Sequence, residues 1–228
     1  MPIHRTLNQN FFKTWSSEMA YVLGFFAADG NMIRNNRGGH FIAFYSNDKE
    51  LLEKIRNLLG SNHKLAPKKR NNFYKNRKQS YQLQIGSKEI FKDLINLGMV
   101  PNKSLILKMP NVPEELLGHF LRGYFDGDGH VSVCEYQRKD RKSKSKIIQS
   151  GFTSGSKKFL EGLRIVLKKH TNIQGGTLHR GSKKSNYYRF CVSINDSLRL
   201  YDFMYKNDNL LSLSRKKSIF EDYFKLGT

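Results

Sequence analysis

Hydrophobic positions in the first half of the chain predict a regular series of elements. A nearly apolar helix over Met19–Ala28 ends at an Asp-Gly pair, and alternating apolar residues over Phe41–Ser46 predict the second of two strands that follow it. Asp48 is the type of residue that caps a helix, and the Leu and Ile residues after it recur at helical spacing until Gly60. The pattern therefore begins helix, strand, strand, helix.

The series continues and is then repeated. Further strands are predicted around Lys64–Tyr74 and Gln79–Gly86, and Ser87 caps another helix that ends before Gly98. The second half follows the same order, with predicted helices over Ser156–His170 and Asp196–Lys206. The unit αββαββα is expected twice.

The repeat is visible in the residues themselves. When Tyr21–Gly30 (YVLGFFAADG) is placed over Phe120–Gly129 (FLRGYFDGDG), residue n of the first copy matches residue n + 99 of the second. The likeness continues downstream, where Phe44–Leu51 resembles Phe152–Phe159. Such self-similarity at a fixed distance indicates two copies of one structural unit.

The predicted fold class is α+β, with two pseudo-symmetric αββαββα subdomains. Met99–Pro113 contains three prolines, which block helix continuation, and is the natural link between the halves. We expect an N-terminal arm over 1–17, a first subdomain over 18–112 and a second over 113–228. Phe11, Phe12 and Trp15 indicate an arm that packs on the first subdomain.

Charge points to a polyanionic partner. Lys and Arg number 40 against 19 Asp and Glu, so the formal charge is +21. The basic stretches are interleaved with Tyr, Asn, Gln and Ser rather than with an apolar stripe, which favours nucleic acid over a membrane surface. Cys134 and Cys191 are too few for a disulfide framework and lack zinc-site spacing.

The chain carries no predicted membrane segment. Residues 1–10 lack an apolar core, and the longest nearly apolar run, Met19–Ala28, is far shorter than a membrane span. We expect an intracellular protein, in the cytoplasm or nucleoid of a prokaryote or in an organelle.

The two repeated helices are expected to pack side by side. Small residues at Gly24 and Ala28 in one copy, and at Gly123 and Gly127 in the other, allow a close approach. Both helices end in Asp-Gly, so the pseudo-two-fold symmetry brings the two acids, one from each copy, together at the base of the pair.

Paired carboxylates at helix C-termini are unfavourable without a counter-charge. Asp29 and Asp128 each face the negative end of a helix dipole and repel each other. A divalent cation removes this conflict, and few carboxylates with room for water and phosphate is typical of Mg²⁺. Asp-Gly can also form a simple turn, but two copies at matching positions favour the metal site. No histidine recurs between the halves, which argues against a histidine-metal nuclease.

These residues resemble the LAGLIDADG homing endonucleases of the single-chain type with two motif copies. The spacing Gly-x-x-Asp-x-Asp-Gly is complete in Gly123–Gly129 (GYFDGDG). In Gly24–Gly30 (GFFAADG), Ala27 replaces the first acid, whereas the last acid, which is the metal ligand in this family, is retained. The resemblance extends from about residue 17 to about residue 224.

The resemblance implies a site-specific enzyme that hydrolyses both strands of double-stranded DNA. Each half would lay an antiparallel four-stranded sheet in the major groove, and cleavage across the minor groove would leave short 3′ overhangs. Two or more Mg²⁺ ions would be shared by Asp29 and Asp128, with Ala28 and Gly127 in the metal site, and Mn²⁺ or Ca²⁺ would substitute in binding. A fused pair of halves implies a working monomer on an asymmetric target.

The family also places polar side chains beside each scissile phosphate. A lysine there stabilises developing negative charge, and Lys103 and Lys216 occupy similar late positions in their halves, with Lys217 as the competing choice. Ser46 and Ser154 stand near the end of the second strand, where the family often uses a glutamine to contact the water network.

DNA contacts are expected from basic and amide side chains on the strands and hairpins. The candidates are Arg34, Lys68, Arg70, Lys75, Gln82 and Gln84 in the first half, and Gln137, Arg138, Lys146, Gln149, Arg180, Lys183 and Arg189 in the second.

A binding protein on the same fold is the alternative. Either an intron RNA maturase or a DNA-binding regulator without cleavage would keep the basic surface, so intron RNA stays open as a partner. Loss of a motif aspartate would favour that alternative, and both are present. The chain begins Met1-Pro2 and ends without His-Asn, so we expect an intron-encoded enzyme rather than an intein.

Overall fold

The protein is an α+β structure of two similar halves, which confirms the predicted fold class. The computed structural model describes residues 5–68, 78–137, 144–182, 184–206 and 211–226. No helix among these residues is long and apolar enough to cross a membrane.

Each half contains the predicted series of elements. The first half contains α1 (Ser17–Asp29), β1 (Gly30–Arg34), β2 (His40–Ser46), α2 (Lys49–Leu58), β3 (Leu65–Pro67), β4 (Tyr81–Gly86) and α3 (Lys88–Asn96). The second contains α4 (Leu117–Asp128), β5 (Gly129–Gln137), β6 (Lys144–Ser154), α5 (Lys157–His170), β7 (Thr177–Arg180), β8 (Tyr188–Ser193), α6 (Ile194–Tyr205) and α7 (Ser214–Leu226). Short 3₁₀ turns, Lys103–Leu105 and Glu114–Leu116, lie in the link.

The helix boundaries follow from local chemistry. The side chains of Asp48, Ser87 and Ser156 accept hydrogen bonds from backbone N–H groups in the first turns of α2, α3 and α5. Gly60 and Gly98 follow α2 and α3 with φ of 56° and 85°, a region that favours glycine. The caps predicted at Asp48 and Ser87 and the stops predicted at Gly60 and Gly98 are confirmed, and Ser156 caps the helix that was predicted to begin with it.

Some elements differ from the sequence prediction by more than a shift of a residue or two at their ends, or begin earlier than predicted. Helix α6 begins at Ile194, and α7 was not predicted at all, because its basic first turn hides the apolar side that packs toward β5. The expected strand over Lys64–Tyr74 is described only as β3, since 69–77 lie outside the described residues.

The two sheets have the same topology. Strand order is β1-β2-β4-β3 in one and β5-β6-β8-β7 in the other, and all neighbours are antiparallel. Alternate residues such as Ile42 and Phe44 enter the core beneath the helices, whereas Phe41, Ala43 and Tyr45 between them face away. We call this second side of each sheet the open face.

Helices α1 and α4 form the centre of the molecule. A Cβ atom at Gly24 would overlap the Phe120 carbonyl oxygen, and one at Gly123 would overlap the Tyr21 carbonyl oxygen. Because only glycine has no Cβ, these two residues allow backbone contact between the helices. The predicted side-by-side packing is confirmed, and it places both Asp-Gly pairs at one end of the helix pair.

The N-terminal arm is tied to the first half. The Asn8 N–H donates to the Leu59 carbonyl at 2.9 Å, and Ser87 Oγ donates to Gln9 Oε1 at 2.5 Å. Phe12 is buried, and Phe11 and Trp15 pack partly buried against the same core. The described part of the arm, from residue 5 onward, is therefore packed against the first half.

Candidate active site and DNA-binding surface

Asp29 and Asp128 end the two central helices and are partly exposed. The two helix ends lie close together here, since a Cβ on Gly127 of α4 would lie 3.2 Å from Asp29 Oδ2 of α1. Strands β1 and β5 start at the next residue in each half, so the carboxylates sit where both sheets begin. The arrangement joins one acid from each copy in a single site.

Electrostatics make this pair of carboxylates unstable by itself. Burial, and next the charge of Asp128, raises the pKa of Asp29 to about 7, although Lys216 and Lys103 act in the opposite direction. Burial likewise raises the pKa of Asp128, against the effect of the same two lysines. The site therefore favours an additional positive charge at neutral pH.

The donor atoms fit a hard divalent cation. Two carboxylates with partial solvent access supply the oxygen ligands that Mg²⁺ prefers, and each leaves room for water. Ala28 and Gly127 face each other across the helix pair, since a Cβ on Gly127 would lie 2.5 Å from Ala28 Cβ. The Gly127 carbonyl already accepts a long hydrogen bond, 3.3 Å, from Lys216 Nζ. Among the described residues, no group of three or more His, Cys, Asp or Glu side chains forms another metal site.

Lys103 and Lys216 occupy matching places at the ends of the two helices. Lys103 Nζ donates to the Gly30 carbonyl, and Lys216 Nζ donates to the matching Gly129 carbonyl at 2.6 Å. Lys216 also donates to the carbonyls of Phe125 at 2.6 Å and Asp126 at 3.0 Å. Both lysines neutralise the negative helix ends beside the aspartates.

Burial distinguishes these two lysines from ordinary surface cations. Each is only 6% exposed. Burial lowers the pKa of each to about 8, while Asp29 and Asp128 act to raise it. Lys217 lies elsewhere, 3.3 Å from Glu221 and above the Tyr205 ring, so the geometry selects Lys216 for the site.

Ser46 and Ser154 do not occupy the place expected for them. Both serines lie on the helix-facing side of their strands. Their hydroxyl oxygens accept hydrogen bonds from the backbone N–H groups of Asp48 at 3.0 Å and Ser156 at 3.1 Å. These serines therefore stabilise the turns from strand to helix. The open-face neighbours are Tyr45 and Thr153, one residue earlier.

Five of the predicted DNA-contact residues lie on the open faces. Lys68 lies above the Tyr45 ring at 4.6 Å, and Gln82 donates to Gln84 at 2.8 Å in the same sheet. In the second sheet, Gln149 and Arg189 are exposed on the open side. Their side chains extend away from the helices.

Four other candidates, Arg34, Gln137, Lys146 and Arg180, lie on the helix-facing side of the sheets, contrary to expectation. The side of each residue follows from the start of the strands at Gly30 and Gly129, because successive residues of a strand point to opposite sides. Arg34 packs over the Phe91 ring at 5.2 Å. Lys146 lines a groove with Ile219 and Tyr223 of α7, and Arg180 donates to the Ser185 carbonyl at 2.7 Å.

The remaining candidates complete this assignment. Gln137 lies on the helix-facing side of the second sheet, where it is exposed at the end of β5. Arg70, Lys75, Arg138 and Lys183 lie outside the described residues.

Sequence analysis missed several open-face residues. Asn31 and His130 follow the two Asp-Gly pairs at matching positions, and Thr153, His179 and Cys191 face the same side of the second sheet. Asn31 and His130 could have been found from the sequence, because each directly follows an Asp-Gly pair and alternation from that pair places it on the open face. The others depend on strand pairing, which the sequence does not specify.

The arm extends the open face of the first sheet. Arg5, Leu7 and Gln9 line a groove of about 380 Å³ together with open-face residues of β2 and β4. These are Phe41, Gln84 and Gly86, and His63 completes the groove. The Arg5 guanidinium is held there by a 3.0 Å hydrogen bond to the Asn62 carbonyl.

Two curated relatives match most of this chain. A probable translation initiation factor IF-2 of Methanocaldococcus jannaschii is 28% identical over 200 residues, which cover 78% of this chain and 15% of that protein. The DNA-directed RNA polymerase subunit Rpo1C of the same organism is 29% identical over 154 residues, covering 66% and 15%. The chain thus spans about 15% of the length of either relative.

Solved structures with the same fold are meganucleases. I-SmaMI bound to uncleavable DNA has a TM-score of 0.61 and 14% identity, covering 90% of this chain and 88% of that one. I-AabMI bound to uncleaved DNA has a TM-score of 0.60 and 16% identity, with the same coverage. A further I-SmaMI structure, with an uncleaved DNA target and calcium ions, has a TM-score of 0.59 and 13% identity over 93% of this chain and 90% of that one.

Family membership rests on both halves of the sequence. The model of the LAGLIDADG-like domain matches residues 16–97 and again residues 115–205. These segments contain both central helices, both sheets and the two motif aspartates. The chain therefore belongs to the LAGLIDADG family, as a single chain with two copies of its domain.

Proposed function

We propose that this protein is a site-specific endonuclease that cuts both strands of a long, asymmetric DNA target. The observation that carries the proposal is the pair Asp29 and Asp128, partly exposed between two open sheet faces and flanked by Lys103 and Lys216. One chain supplies both acids, which supports a working monomer. The DNA-bound meganucleases of the same fold support double-stranded DNA as the partner.

The chain's own groups have distinct tasks in the proposed reaction. Asp29 and Asp128 would hold divalent ions, which when bound would supply Lewis-acid chemistry for activating water and stabilising the leaving oxygen. Lys103 and Lys216 place fixed positive charge where negative charge develops on each scissile phosphate. The open faces hold the flanking DNA in the major groove and fix the cleavage position.

Cleavage is favoured over a purely binding role. A maturase or regulator needs the basic surface, but it does not need two buried lysines and two carboxylates of raised pKa at one point. Ionisable groups with shifted pKa values lower the free energy of unfolding, and a catalytic role explains why they occur together at this site.

The direct test is cleavage of a randomised or genomic DNA library. The reaction is run with Mg²⁺, with EDTA, and with Asp128→Asn as the inactive control, and the ends are sequenced. Metal-dependent cutting at one long asymmetric site with short 3′ overhangs is the expected result. Tight, selective binding without any cut would replace this proposal with the regulator or maturase.

Binding to the target should weaken steeply as salt is added. A protein that neutralises roughly six to ten phosphates loses about 10³-fold or more in affinity between 50 and 200 mM salt through counterion release. The measurement is the Kd at several NaCl concentrations, with Ca²⁺ in place of Mg²⁺. A flat response would be incompatible with a DNA interface on this +21 chain.

The N-terminal arm should contribute to the same interface. Arg5→Ala is expected to weaken target binding severalfold and to reduce the salt slope by about 1, as for the loss of one phosphate contact. Lys13→Ala is the matched control, because Lys13 carries the same charge in the arm but pairs with Glu89 at 3.7 Å. Equal Kd values and equal salt slopes for the two variants would show that Arg5 and its arm do not contribute to DNA binding.

A further inference from the structure

The first acid of the second motif, Asp126, has a place quite different from that of Asp128. Asp126 is 3% exposed, and its Oδ2 accepts hydrogen bonds from the Tyr21 hydroxyl at 2.6 Å and the Leu213 N–H at 2.8 Å. Tyr21 belongs to α1, and Leu213 is the residue before α7. Asp126 therefore links the other half of the molecule to the segment that leads to Lys216.

A neighbouring guanidinium holds the same segment. Arg122 is 2% exposed and donates to the carbonyls of Met204 at 2.6 Å and Leu211 at 3.0 Å. Its charge lies 5.5 Å from the centre of the Tyr21 ring. Buried groups with these bonds tolerate little displacement, because an unpaired buried donor or acceptor costs about 1–3 kcal/mol.

The contacts form a closed path around the catalytic lysine. Asp126 fixes the Leu213 N–H, the Leu213 carbonyl accepts the Lys216 N–H at 2.9 Å, and Lys216 Nζ returns to the carbonyls at the end of α4. Both ends of the path lie on α4. Asp126 thus connects, through the backbone of Leu213, to the residue whose ammonium group bonds the carbonyls at the end of α4.

The described part of the first half has no matching set of polar side chains. The positions that match Tyr21, Arg122 and Asp126 under the n + 99 repeat are Phe120, Leu23 and Ala27, and all three are buried apolar residues. Ala27 is the departure from the motif, and it stands opposite a phenylalanine that has no hydroxyl to donate. Lys103 is held instead in a 3₁₀ turn that follows Asn102, which has φ of 55°.

We propose that Asp126 and Arg122 are positioning residues for Lys216 alone, so that loss of this network slows one of the two strand cuts and leaves the other nearly unchanged. The inference rests on the proposed function, since it requires an enzyme that cuts both strands. It concerns the path to Lys216, which touches neither Asp29 nor Lys103.

The test replaces the Tyr21–Asp126 pair by the residues that stand at the matching positions, Phe120 and Ala27. Tyr21→Phe/Asp126→Ala reproduces Phe120 and Ala27, whereas Tyr21→Phe alone keeps the bond from Leu213 to Asp126 and serves as the control. Single-turnover cutting of a DNA target labelled separately on each strand gives two rates for each protein. Misplacement of a reacting group by about 1 Å costs on the order of 10²-fold, so the double variant should slow one strand by about 10–100-fold and accumulate nicked DNA. The slowed strand should be the one that Lys216→Ala slows, with the other rate within about twofold of the parent protein.

The alternative outcomes separate the inference from the proposed function. Equal slowing of both strands, or slowing of the strand that depends on Lys103, would overturn the inference, while a parent protein that cuts neither strand would overturn the proposed function. Amide hydrogen exchange at Leu213 adds a readout that needs no cleavage, because its N–H should exchange faster only when Asp126 is changed. If the double variant fails to fold, Asp126→Asn keeps the side-chain shape and should produce a smaller bias in the same direction; no bias and unchanged exchange would refute the network's role.

Discussion

Asp29→Asn and Asp128→Asn should each abolish double-strand cutting while leaving target binding within a few-fold of the parent protein. The amide keeps the size of the carboxylate but removes the charge that holds a divalent ion. Loss of several kcal/mol of charge stabilisation lowers the rate by at least about 10³-fold. The measurements are single-turnover cleavage with Mg²⁺ and Kd with Ca²⁺ on the same target.

Folding provides the control for this prediction. The pKa of Asp29 is raised from 3.8 to about 7 by burial and by Asp128, so its ionisation destabilises the metal-free fold increasingly as the pH rises between these values and fully above about 7. Asp29→Asn should therefore raise the Tm of the metal-free protein at pH 8. The gain should shrink as the pH falls below about 7, where the parent carboxyl is already protonated in the fold. Strong residual cleavage by both variants, or a lower Tm at pH 8, would refute the assignment of the site.

The repeat explains why so much of the fold was predictable. The same pattern occurs in Tyr21–Gly30 and in Phe120–Gly129, so an element predicted in one copy supports the matching element in the other. The starts of α2, α3 and α5 are marked by local chemistry alone, through the capping residues Asp48, Ser87 and Ser156. Two glycines without room for a Cβ then allow the helices to meet, and this contact brings the two acids together. Local and symmetric signals thus led directly from the sequence to the site.

The errors arose where strand register and side-chain direction decide the outcome. Arg34 and Ser46 stand one residue away from open-face positions, and a shift of one residue reverses the side on which a strand residue lies. Both residues were chosen because they are polar, but residue type does not indicate which side of the sheet a side chain occupies.

Tertiary partners decided the rest. Helix α7 was missed because its stability comes from packing toward β5, and the role of Asp126 depends on Tyr21, 105 residues away in the sequence. The motif identified Asp126 only as one of two acids. Its partners show that it fixes a backbone segment, which no spacing rule indicates.

Lys103→Ala and Lys216→Ala should each slow cleavage by about 10²–10³-fold, with Kd changed far less. Both ammonium groups are buried at the ends of the central helices, where a fixed charge acts more strongly than it does in water. Each lysine serves a separate half, so each single variant should slow a different strand and the double variant should cut neither.

Lys217→Ala is the matched control for these variants. Lys217 carries the same charge one residue from Lys216, but it pairs with Glu221 at 3.3 Å and lies above the Tyr205 ring. Its removal should leave both strand rates within about threefold of the parent protein. Strand-resolved single-turnover rates and Kd, measured together, separate the two possible roles of the lysines. If Lys103→Ala or Lys216→Ala weakened binding while leaving the single-turnover rate at saturating protein intact, the lysine would be a phosphate clamp, and catalysis would rest on the aspartates and their metal ions alone.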